Sequence, residues 1–168
     1  TGLVCLMVLV CNVDGFNSEG LRALRKELLA LDDLIMVEPE SEQSAMGHAI
    51  TLNQPLKVRK VEEEGEFIGY AVNGTPADCV KLAITVLLDE PPKLVVSGIN
   101  LGGNLGICSL FSGTVSAATE AMVMGGPSID VSLDTSEHPD FIPDAKFSRK
   151  FNPKLTKQGM PDALGWER

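Results

Sequence analysis

The chain has 168 residues, 44% hydrophobic and 22% charged, the profile of one ordinary globular domain rather than an intrinsically disordered chain. Fourteen Lys and Arg against 23 Asp and Glu leave a formal charge of −9, which argues against a general binder of nucleic-acid duplexes or anionic membranes. A small phosphate ester remains compatible, because a few backbone dipoles and one cation can hold a phosphate on an acidic protein.

The most apolar run, Leu3 to Cys11, is too short for a membrane helix and lacks the basic flank of a signal peptide. It is nearly continuous rather than alternating, as in a strand covered on both faces by helices. A turn follows at Asn12-Val13-Asp14-Gly15. Asn17 or Ser18 then caps a helix to about Leu31, with Leu21, Leu24, Leu28 and Leu31 on one stripe. Leu34 to Val37 is a second short strand, which completes a βαβ unit. Pro39 to Gly47 is polar and aperiodic, at the strand edge where open α/β sheets bind ligands.

His48 to Leu52, Leu56 to Val61 and Phe67 to Val72 read as strands in an antiparallel excursion. Thr75-Pro76-Ala77-Asp78 starts a helix that reaches about Leu88: Thr75 caps, Pro76 takes the first position and Asp78 sits in the first turn. Leu94 to Ser97 is a strand, and a glycine-rich loop spans Gly98 to Gly113. Thr114 to Met124 is helical, Ser128 to Leu133 is a strand, and Phe141 to Phe151 is a weaker helix. Asp130 is odd in an apolar strand unless it is exposed. This alternation gives an α/β fold with a doubly wound, mostly parallel sheet and an antiparallel hairpin excursion.

Three loops then converge at one sheet edge: Asn12 to Gly15, Pro39 to Gly47 and Gly98 to Thr114. Their oxygen-rich side chains (Asp14, Ser44, Asn100 and Asn104 among them) suit a hard cation such as Mg²⁺ or Mn²⁺. Ser112-Gly113-Thr114 opens a helix whose backbone N–H groups suit an anion. Each residue also has a plain reading: Asp14 as a turn residue, the asparagines in left-handed backbone positions, Ser112 or Thr114 as a cap. His48 reads as a satisfied surface or edge histidine. The glycine loop lacks the G-K-[ST] ending of a P-loop, and the first turn lacks G-x-G-x-x-G. The four cysteines, Cys5, Cys11, Cys79 and Cys108, have no metal-binding spacing and are expected to be reduced in a cytoplasmic setting.

The ordered motifs Asn12-Val13-Asp14-Gly15, Pro39 through Ser44, Gly74 through Val80, Val96 through Asn100 with Gly102 and Asn104, and Ser112 through Val115 resemble the SurE family. The resemblance implies a Rossmann-like fold and metal-dependent hydrolysis of nucleoside 5′- and 3′-monophosphates, with one divalent cation per subunit, Mg²⁺ or Mn²⁺. It implies a small nucleotide substrate and a homodimer or homotetramer. Carried over residue by residue, Asp14, Ser44 and Asn100 would hold the metal, with Asp14 and Asn100 also catalytic. Asn12, Asn104, Ser112, Gly113 and Thr114 would line the phosphate pocket. Val13 stands where the family has the first of two aspartates, and Cys108 where many relatives are acidic. Loss of that carboxylate implies weaker metal binding and impaired turnover with the pocket kept, so a nucleotide-binding protein without turnover is the alternative. On this reading residues 1–134 are the phosphatase core and 135–168 a shortened or incomplete C-terminal extension.

Overall fold

The computed structural model describes residues 7–30, 33–135 and 137–158, with side chains through residue 150. Residues Leu3 to Leu6 and Leu31, which enter the sequence reading, lie outside the described residues. In chain order the elements are β1 (Val8–Cys11), α1 (Glu19–Leu28), β2 (Leu34–Pro39), β3 (Val58–Glu63), β4 (Glu66–Val72), α2 (Pro76–Leu82), β5 (Leu94–Leu101), α3 (Gly113–Val123), β6 (Ser128–Leu133) and α4 (Ile142–Gln158). A π-helical stretch, Ala83–Leu87, prolongs α2, and a 3₁₀ helix, Gly106–Phe111, precedes α3.

The sheet has the order β3-β4-β2-β1-β5-β6. Every pairing is parallel except the β3–β4 hairpin. The α/β class and the doubly wound arrangement are as expected. The alternation of side chains along each strand explains the continuous apolar reading of β1. Val8 and Val10 face a cluster with Leu21, Leu24 and Leu28 of α1 and Ala145 of α4. Leu9 and Cys11 face the opposite cluster, with Cys79 and Val80 of α2 and Ala117 and Ala121 of α3. Helices thus cover both faces, and β1 is buried throughout.

Local chemistry sets the helix starts. Ser18 caps α1, its hydroxyl accepting from the Leu21 N–H. Thr75 and Asp78 form a reciprocal capping box at α2, with Pro76 in the first turn. Ser112 caps α3 by accepting from the Val115 N–H.

Three expectations need correction. His48 to Leu52 is not a strand: the Asp78 carboxylate takes the Thr51 N–H and hydroxyl, and the Thr75 hydroxyl donates to the Ala49 carbonyl. These side-chain bonds occupy the groups that a ladder would use. The strand expected at Leu94 to Ser97 continues to Leu101, because its far end pairs with Ser132 and Leu133 across a register shift. The glycine-rich stretch is therefore not all loop. Helix α4 runs well past Phe151. Asp130 lies in the interior of β6 and is exposed, on an edge strand.

Candidate functional site

The three loops expected to converge do so, and backbone hydrogen bonds join them. The Gln43 N–H donates to the Val13 carbonyl at 3.0 Å, tying the β2 loop to the β1 loop. The Gly47 N–H donates to the Phe111 carbonyl at 2.9 Å, tying the β2 loop to the segment before α3. Gly113 is needed for this closeness: a Cβ there would lie 2.7 Å from Val13 Cγ1 and 3.4 Å from the Gln43 carbonyl oxygen.

Two adjoining clefts open at this junction. One, of about 420 Å³, is walled by Asp14, Glu19, Glu42, Ser44 and Asn100 among others. The second, of about 300 Å³, is walled by Val13, Ser44, Asn100, Asn104, Cys108, Ser112 and Gly113 among others. Ser44 and Asn100 belong to both, so they stand where the two meet. Asp14, Ser44 and Asn100, far apart in sequence, are thus brought to one place. Asn104, Ser112 and Gly113 border the neighbouring space. Asn104 is braced there by an Nδ2–H bond to Ser132 Oγ at 2.7 Å.

Asn12 and Thr114 do not line the clefts; both are fully buried. Asn12 shapes the loop from beneath. Its Nδ2–H donates to Ser18 Oγ, its Oδ1 accepts from the Val13 N–H, and its own N–H donates to Glu38 Oε2 at 2.6 Å. Thr114 Oγ1 has no hydrogen-bond partner among the described residues. Val13 is buried, its side chain against Gly113 at the start of α3.

The walls are acidic. Burial, and then the charge of Glu42, raise the Asp14 carboxyl above its ordinary value. Glu42 Oε1 accepts from the Ser44 hydroxyl at 2.6 Å. Asn100 directs its Nδ2–H to the Gly102 carbonyl at 2.7 Å, which leaves its amide oxygen as the atom available to the cleft. No Lys or Arg among the described residues lines either cleft. An anionic ester entering here would meet carboxylates without a protein cation to offset them. Carboxylate, hydroxyl and amide oxygens are the donors that a hard divalent ion takes, so the residues present fit such an ion.

The sequence reading missed Glu42, Glu38 and Glu120. Glu42 stood in the expected ligand loop, two residues from Ser44, but nothing in the spacing aimed it at the site. Glu38 is fully buried at the end of β2 beneath the Asn12 loop. Burial above all, and then Cys11, push its carboxyl well above the usual range, against the lowering bond from the Asn12 N–H. Glu120 on α3 has its side chain only 5% exposed and accepts from Lys81 Nζ at 2.9 Å; its other oxygen is 2.8 Å from His48 Nε2. That pairing makes His48 a satisfied residue, as the sequence reading held.

Residues 8–166 match the family model for survival protein SurE. A 5′-nucleotidase SurE of Syntrophobacter fumaroxidans is 46% identical over 95% of this chain and 64% of its own length. One of Syntrophus aciditrophicus is 53% identical over 84% of this chain and 53% of its own length. The crystal structure of the SurE protein from Aquifex aeolicus superposes with a TM-score of 0.85 at 40% identity, covering 93% of this chain and 62% of that one. The chain therefore spans between about half and two-thirds of the length of these relatives. The chain belongs to the SurE family.

Proposed function

We propose that the paired clefts form the active site of a divalent-metal-dependent phosphomonoesterase acting on nucleoside 5′-monophosphates, and on 3′-monophosphates as well. The observation that carries this reading is the gathering of Asp14, Ser44 and Asn100 around a cleft with acidic walls and, among the described residues, no Lys or Arg, next to the capped start of α3. The names of the relatives, 5′-nucleotidase SurE, supply the substrate class. Asp14, Ser44 and Asn100 hold one Mg²⁺ or Mn²⁺, and Asn104, Ser112 and Gly113 receive the phosphate. When bound, the cation polarises the phosphoryl group and acidifies a water. In the reaction water adds to phosphorus, the P–O bond to the nucleoside breaks, and the leaving oxygen takes up a proton.

The chain's own residues prepare that step. The α3 start offers N–H groups to an anion. Asp14 and Asn100, both on the wall of the larger cleft, take the catalytic positions that the family resemblance implies. Val13 contributes no oxygen, so turnover is lower than with an aspartate there, by about 10²-fold if that group serves as acid or base. Residues 1–134 are the phosphatase core. Assembly into a homodimer or homotetramer follows from the family resemblance. A cytoplasmic setting agrees with the free thiols of Cys11, Cys79 and Cys108.

The test is phosphate release from AMP, GMP and p-nitrophenyl phosphate with Mn²⁺ or Mg²⁺, repeated on Val13→Asp. The expected result is metal-dependent release that the substitution raises by at least tenfold. Metal-independent release, or no gain from Val13→Asp, would count against the ligand assignment. The identity of residue 13 favours one second reading, a nucleotide-binding protein without turnover. It predicts AMP binding by calorimetry with no release until the aspartate is restored.

A further inference from the structure

Val13 leaves the site with one carboxylate fewer than the resemblance implies, and its side chain is spent on packing against Gly113. The site's acidity does not disappear, because two further carboxylates wall the cleft that holds Asp14. Glu19 is one of them. It stands in the first turn of α1, where a negative charge complements the helix end. Glu42 is differently placed. It shares its loop with Ser44, and the Ser44 hydroxyl donates to its Oε1 at 2.6 Å. A carboxylate fixed in this way faces a group of the ligand set, and it leaves the lone pairs of that hydroxyl oxygen for a cation.

We propose that Glu42 supplies the second carboxylate charge of the cation site, in the role that an aspartate at position 13 would otherwise fill. The inference rests on the reading of the clefts as a cation-dependent phosphate site, and it goes further by assigning a residue that the resemblance does not. Two carboxylates around one divalent ion restore the charge balance that Val13 removes. The anionic ester then meets a site whose carboxylates are offset by the ion.

Binding of Mn²⁺ alone, followed by the loss of the free-ion electron paramagnetic resonance signal, tests this without any turnover. Four proteins are compared: the unaltered chain, Glu42→Gln, Val13→Asp, and the double variant. Glu42→Gln keeps an acceptor for Ser44 and removes only the charge. Because Glu42 is exposed, its melting temperature is expected to match that of the unaltered chain. Glu42→Gln is expected to weaken Mn²⁺ binding at least tenfold, and adding Val13→Asp is expected to restore it. Binding by Glu42→Gln equal to the unaltered chain overturns the proposal while leaving the broader reading intact. So does a double variant as weak as the single one. If neither the unaltered chain nor Val13→Asp binds millimolar Mn²⁺, the broader reading fails, and this inference fails with it.

Discussion

Glu38 is a carboxylic acid taken out of water. Its carboxyl is fully buried, with one oxygen on the Asn12 N–H and Oε1 without a partner among the described residues. Burial raises its folded-state pKa above the value in the unfolded chain. Above the ordinary carboxylate range the unfolded chain therefore gives up this proton more readily than the folded one. Stability from this group is full at acid pH and declines as pH rises toward the folded pKa. Glu38→Gln removes the titration and keeps an acceptor for Asn12. Its melting temperature relative to the unaltered chain should rise between pH 5 and pH 8; a difference that stays flat would show that Glu38 ionises normally. A buried acid at a strand end was not legible in the sequence, where the second strand reads as ending at Val37. Glu42 was equally hidden, because its orientation depends on a loop that local pattern does not define.

At the scale of elements, α1 lies tight against β5 at Gly20. A Cβ at that position would lie 2.2 Å from the Ile99 carbonyl oxygen. Ile99 precedes Asn100, so this contact seats the strand end that carries a proposed ligand. Alanine is intrinsically better than glycine in a helix by about 1 kcal/mol. The contact outweighs that gain: Gly20→Ala is expected to destabilise by about 1–3 kcal/mol in chemical denaturation, the usual range for overpacking. A stabilising Gly20→Ala would mean that α1 stands further from β5 than described. Elements set by local chemistry were readable in advance. The capping box of Thr75 and Asp78 and the leucine stripe of α1 needed only neighbours in sequence. The segment from His48 to Leu52 was misread because its pattern resembles a strand, while its hydrogen bonds come from Thr75 and Asp78, far along the chain. The length of β5 was misread because its second half depends on pairing with β6.

Across the whole molecule, the segment after β2 is secured to both helices of one sheet face. Asp78 of α2 holds Thr51, and Glu120 of α3 pairs with His48 of that segment and with Lys81 of α2. Burial alone would raise the Glu120 carboxyl, but the bonds from Lys81 and His48 outweigh it and leave its pKa lowered. A lowered folded-state pKa means that the contribution to stability is complete above the ordinary glutamate value of about 4.3 and is lost as pH falls through the folded pKa. The melting temperatures of the unaltered chain and Glu120→Gln should therefore differ fully at pH 7 and draw together toward pH 3. A constant gap would place the contribution in packing alone. The layered architecture and the meeting of three loops at one edge were legible because strand order and chain direction determine which loops share an edge. The side-chain bonds that fasten those loops were not, since they join residues that no periodicity links.

The mostly parallel sheet also gives the molecule a second rim, opposite the clefts. Strand β5 begins at Leu94 on one side and carries Asn100 near its other end, about 20 Å of extended backbone away. The turn leading into it, with exposed Asp89, Glu90 and Pro91, lies beyond Leu94 on the far side. A fluorophore or affinity handle grafted there would report on the protein or immobilise it with the two clefts left open to solvent.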